Sequence, residues 1–227
     1  MNEMLSQQEE EIGRAASGFI SRIGSEDRGS RQVNLFHRTW NGTLVDPAWI
    51  SGALQTTALR KRPTIIPKPY GTLGYSAGKK QAAAVADNFR AKVASGNIQY
   101  YENILFEACD EMESEMNSLG FHWTFGRSQK FFNILAKYWF CVAVGCSDKL
   151  QESDRALVKS LRNHFHAPID SITLRHVRKL EGAPPLDSIY WGWSMSREIY
   201  GEIQKCIESR AARSGLSKIE YELVEIW

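Results

Sequence analysis

Residues Gln129 to Val144 form a run that is apolar nearly all the way round a helix. Phe131, Phe132, Ile134, Leu135, Ala136, Tyr138, Trp139, Phe140 and Cys141 occupy nearly every position around a 3.6-residue turn. A helix apolar all the way round has no side to turn to water, so other elements must wrap it. The pattern therefore predicts a buried central helix, with Ser128 as its cap, and a mainly α fold in one helical domain spanning 1–227. A chain of 227 residues can bury such a core without disulfides or structural metals.

The flanking segments supply the wrapping. Residues 5–23 carry a loose helical pattern of Ile12, Ala15, Ala16, Phe19 and Ile23. Val33 to Trp40 reads as a short strand or hairpin arm, ended by the turn signal Asn41-Gly42. Asp46-Pro47 opens a helix running to about Leu59. Residues 61–78, with Pro63, Pro67, Pro69, Gly71, Gly74, Ser76 and Gly78, read as a long loop. Helices are predicted over 79–95, 98–118 and 152–163, over Ser171–Leu180 after Asp170, and from Ser194 or Ser196 to Arg213. The tail from Lys218 to Trp227 reads as a strand or a short helix.

Charge and cysteine usage narrow the function classes. The formal net charge of +2 does not by itself predict a nucleic-acid binder, but its distribution is uneven. Basic residues gather at Arg60-Lys61-Arg62, Lys68, Lys79-Lys80 and Arg175 to Lys179. Such local faces can bind phosphates when total charge is near zero. Cys109, Cys141, Cys146 and Cys206 have no metal-ligand spacing and read as reduced thiols, in keeping with a cytoplasmic protein. No apolar run is long enough for a membrane span. The polar, acidic start, Met1 to Gly13, is unlike a secretory signal.

Two polar residues stand out by context. Lys130 falls in what reads as the first turn of the most hydrophobic helix, where desolvation and the positive end of the helix dipole both work against an ammonium. An amine so placed can become a nucleophile at neutral pH. A lysine there can also simply reach solvent past its neighbours. Asp170 follows Ala167-Pro168-Ile169 at a predicted helix start, where capping alone accounts for an aspartate.

Taken together, Gly126-Arg127-Ser128-Gln129-Lys130, a buried helix, and a loop ending in Ala167-Pro168-Ile169-Asp170 resemble the helix-hairpin-helix DNA glycosylase superfamily. The likeness covers roughly residues 118–180. It implies Gly126 in the hairpin turn, Lys130 as the lysine of the lyase-competent members and Asp170 as the essential aspartate. Trp123-Thr124-Phe125-Gly126-Arg127 stands where the family has Leu-Pro-Gly-x-Gly. The Lys130-to-Asp170 spacing of 170 − 130 = 40 residues implies an insertion near 145–163. No four-cysteine iron–sulfur signature follows, so no cofactor or metal is expected.

What the resemblance implies is a DNA glycosylase that flips a modified or damaged base and cleaves its N-glycosidic bond. Lyase activity is possible where Lys130 attacks. A role in phage defence is in keeping with a branch that acts on modified cytosines. The active cleft is expected between the 24–118 and 119–227 portions. Candidate DNA or substrate contacts are Gln129, Arg127, Trp123, Phe125, Tyr190, Trp191, Trp193, His166, Lys68, Lys79 and Lys80. Two other readings stay open. One is a non-catalytic helical module binding nucleic acid or protein. The other is a nuclease using Asp170 with His164 or His166.

Overall fold

The computed structural model describes residues 2–25, 50, 53–54, 71–96, 98–145 and 150–226. The fold is mainly α, with no strand among the described residues. The predicted strand at 33–40, most of the helix at 46–59, and Lys61, Arg62, Lys68 and Cys146 lie outside them. Ile50, Ala53 and Leu54, inside the predicted 46–59 helix, are helical and buried.

In chain order the helices are α1 (Asn2–Ser25), α2 (Gly71–Ser95), α3 (Tyr101–Ser118), α4 (Phe125–Gly145), α5 (Glu152–Leu161), α6 (Ser171–Val177), α7 (Arg197–Arg213) and α8 (Lys218–Tyr221). A π-helical turn, Glu222–Ile226, closes the described chain. The tail is thus helical, the second of its two predicted forms.

The apolar run dictates the architecture as predicted. Every residue of α4 from Gly126 to Val142 is buried. Helices α1, α3 and α5 pack directly against it. From α2, Phe89 reaches α4 through ring contacts with Phe132 and Trp139, at centroid distances of 4.9 and 5.8 Å. Burying side chains of this size contributes about 1.5–3 kcal/mol each. A second, smaller apolar cluster gathers Ile169, Leu174, Val177, Trp191, Tyr200, Ile203 and Ile207 beside the first.

Two helix starts differ most from expectation. Helix α2 begins at Gly71, so 71–78 is helix and not loop. Packing explains the reversal: a Cβ on Gly78 would come within 2.9 Å of the Phe121 ring, so glycine is what lets α2 approach. Tertiary contact here outweighs glycine's poor helix propensity. Helix α4 begins at Phe125, four residues before Gln129. The residue before it, Thr124, accepts the Arg127 and Ser128 N–H groups on its carbonyl, both at 3.0 Å. Ser128 therefore lies inside the helix, where its hydroxyl accepts the Trp123 indole N–H at 2.9 Å.

The central helix also carries a buried ion pair. Lys137 Nζ lies 2.5 Å from Glu222 Oε2, with both side chains fully buried. The Lys137 ammonium sits 4.1 Å over the Phe19 ring. This pair fixes the C-terminal π-turn to the middle of α4, because separating it would strand a charge in the core.

Candidate active site

The site assembles where the start of α4 meets the second apolar cluster. Lys130 and Asp170 are 40 positions apart in sequence, yet Lys130 Nζ lies 3.4 Å from Asp170 Oδ2. Their side chains are 10% and 9% exposed, so the pair is nearly enclosed. Lys130 falls in the second turn of α4 rather than the first. The helix dipole acts there more weakly than at the terminus.

The two carboxylate oxygens of Asp170 have different duties. Oδ1 caps α6, accepting the backbone N–H of Ile172 at 2.8 Å and of Thr173 at 3.1 Å. Oδ2 faces the lysine. Aspartate capping, the plain structural account, is therefore correct and leaves one oxygen for Lys130. The Thr173 hydroxyl donates to the Pro168 carbonyl at 2.9 Å, stiffening the approach to Asp170.

The loop carrying Asp170 is pinned from below by amides. Gln129 donates from Nε2 to the Ile169 carbonyl at 2.8 Å and accepts the Ile169 N–H at 3.3 Å. Gln204, on α7, does the same for Ala167, donating at 2.7 Å and accepting at 3.2 Å. Gln129 was expected to contact DNA, but it is fully buried with both polar atoms engaged. It positions the loop.

His166 is corrected in the same way. It is buried, and its Nδ1 meets the Tyr200 hydroxyl at 2.8 Å. That hydroxyl accepts from Asn133 at 2.8 Å, which leaves its proton for His166 Nδ1. Burial pushes the imidazole pKa well below its usual value, so the ring is neutral at physiological pH. It is a structural member of the core beside Tyr101, not a phosphate contact. His164, the other histidine of the nuclease reading, is half-buried. Among the described residues no group of three or more His, Cys, Asp or Glu side chains could hold a metal ion.

The aromatic candidates separate into walls and core. Trp123 is buried in the main core, and Phe125 packs its edge against Tyr200 and Phe106. Trp191 is buried too, but its ring lies 4.4 Å under the Lys130 ammonium and forms one wall of the site. Tyr190 and Trp193 are 48% and 46% exposed. The Arg127 guanidinium stacks on Trp193 at 4.3 Å, while its Nη1 donates to the His122 carbonyl at 2.8 Å. Lys79 and Lys80 lie on α2, half-buried and exposed respectively.

Gly126 seats this aromatic turn. A Cβ there would fall 1.8 Å from the Trp191 carbonyl oxygen, so only glycine admits the contact. It serves within the first turn of α4 rather than in a hairpin turn. The Thr124 hydroxyl donates to the Gly192 carbonyl at 2.7 Å, and Arg178 donates to the Leu186 and Ile189 carbonyls. Sequence reasoning missed Asn133, Thr173, Tyr200 and Gln204. For the two on α7, the available signal was a tyrosine and a glutamine in register with Ile203 and Ile207 on one helical face.

Comparison of the chain with protein-family models, with curated proteins and with solved structures finds no match. Among the described residues no helix is long and apolar enough to cross a membrane.

Proposed function

We propose that this chain is a DNA N-glycosylase acting on a flipped, modified or damaged base, with associated lyase chemistry. The observation that carries the reading is the enclosed Lys130–Asp170 pair, 3.4 Å apart against the face of Trp191. Cleaving an N-glycosidic bond builds positive charge on the deoxyribose, and a fixed carboxylate beside the sugar stabilises it. Asp170 Oδ2 is held for that task because Oδ1 is anchored by the α6 backbone.

In the lyase route a proton leaves Lys130 Nζ for Asp170 Oδ2, and the amine attacks the anomeric carbon. The base departs with the bonding electrons of the C–N bond. The new C1′ ammonium passes a proton to the departing base, and the ring oxygen then leaves C1′ with the proton held on Asp170, giving a protonated Schiff base. Loss of a C2′ proton to the regenerated Asp170 carboxylate expels the 3′ phosphate. With water as nucleophile, Asp170 alone bears the charge. Tyr190 and Trp193 offer exposed aromatic surface on the turn that carries Trp191, the chemistry that stacks on bases, while Arg127 is buried and braces Trp193 from within. The free thiols of Cys109, Cys141 and Cys206 suit a reducing cytoplasm. Defence against phage carrying modified cytosines is the biological setting we favour.

The test is incubation with duplex and single-stranded DNA carrying phage-type cytosine modifications and common damaged bases, followed by an assay for abasic sites. Base release that requires Asp170 is the expected result. Salt-sensitive DNA binding with no base release on any substrate would make the protein a binding module instead.

A further inference from the structure

A cavity of about 300 Å³ opens at the other end of α4, lined by Ile12, Phe140, Ala143, Val144 and Val158. From Lys130 to Val144 is 14 positions, about 21 Å along a helix. The cavity is therefore separate from the candidate active site. Its floor is apolar and Val144, 40% exposed, stands at the opening.

One wall is cationic. Arg155, Lys159 and Arg162 line the cavity from α5 and the residue just after it, at spacings i, i+4 and i+7, which places them in one row. Facing them are Glu9 and Glu220. Glu220 is already engaged: Oε1 takes Arg162 Nε at 2.5 Å, and Oε2 takes the Ser217 N–H and hydroxyl at 2.8 and 2.7 Å. Arg155 pairs with Glu152 at 3.4 Å. Lys159 has no carboxylate partner among the described residues, and Arg162 meets Glu220 through Nε alone. The row therefore presents an unpaired ammonium and the outer N–H groups of a guanidinium above an apolar pit.

We infer that this cavity binds a small amphipathic anion, an alkyl chain of medium length ending in a carboxylate. The tail fills the pit between Phe140, Ala143 and Val158, and the head group meets Lys159 and Arg162. The volume lies at the small end of ligand pockets, which fits one chain and not a two-chain phospholipid.

The test is isothermal titration of the full-length protein with decanoate, decanol and decyltrimethylammonium. Decanoate is expected to bind at one site, at least tenfold tighter than either of the others. Lys159→Glu should weaken decanoate at least tenfold, and Val144→Trp, which crowds the opening from an exposed position, should weaken all three. Circular dichroism checks that both variants remain folded. Absence of decanoate binding, equal binding of the cationic analogue, or decanoate binding unchanged in both variants overturns the assignment.

Discussion

Gln129 and Ile169 exchange two hydrogen bonds, side-chain amide to backbone, at 2.8 and 3.3 Å. Through this bracket the central helix holds the residue that precedes Asp170. Gln129→Leu would leave a buried N–H and a buried carbonyl without partners, at about 1–3 kcal/mol each. We expect a stability loss of at least about 2 kcal/mol in urea denaturation, together with loss of any Asp170-dependent activity. Gln129→Glu keeps the acceptor but loses the donor, and should fall between. Wild-type stability for Gln129→Leu would show that the bracket does not hold the loop.

Gly126 makes a sharper demand. The methyl of Gly126→Ala would sit 1.8 Å from the Trp191 carbonyl oxygen, so the turn carrying the tryptophan must move. Overpacking of this kind costs about 1–3 kcal/mol, or several degrees of Tm in a chain of this size. Moving Trp191 also removes the ring from beneath Lys130, which near-ultraviolet circular dichroism and tryptophan fluorescence should register. An alanine variant with unchanged Tm and unchanged aromatic spectra would contradict the close approach.

Protonation of His166 should limit stability on the acid side. Its folded-state pKa is pushed down by burial, so the unfolded chain binds the proton more readily. Stability from this residue is complete above the unfolded pKa of about 6.5. It declines as pH falls below that value, by up to about 1.4 kcal/mol per pH unit. His166→Gln, which can still accept from Tyr200, should flatten the decline between about pH 6.5 and 5. Parallel profiles for wild type and variant would place the acid sensitivity elsewhere.

The core was legible where one signal dominated. The run, apolar nearly all the way round, reads as a buried helix, and Leu135, Ala136 and Trp139 are fully buried as predicted. Asp170 was legible as a cap because Pro-x-Asp-Ser is local chemistry. The roles of Gln129 and His166 were not, because burial of a polar group depends on partners 40 and 34 positions away. The α2 start failed for a related reason: glycines mark turns locally, while Gly78 answers to Phe121, a contact made across the fold. Nothing local in the sequence fixes the 3.4 Å approach of Lys130 to Asp170, 40 positions away.

The division of labour within Asp170 separates catalysis from folding. Asparagine retains an oxygen that can accept from Ile172 and Thr173, so Asp170→Asn should keep α6 capped and the protein stable. Alanine removes the cap as well, at about 0.5–2 kcal/mol. On its true substrate, Asp170→Asn should lose base release by several orders of magnitude while DNA binding persists, since a charge facing a developing cation acts at the transition state. Lys130→Gln removes the amine and leaves the carboxylate. If Lys130 is the nucleophile, borohydride traps a covalent protein–DNA adduct with wild type and not with Lys130→Gln. If water is the nucleophile, no lysine-dependent adduct forms, yet base release still requires Asp170. Full base release by Asp170→Asn would eliminate both routes, and with them the reading of this pair as catalytic.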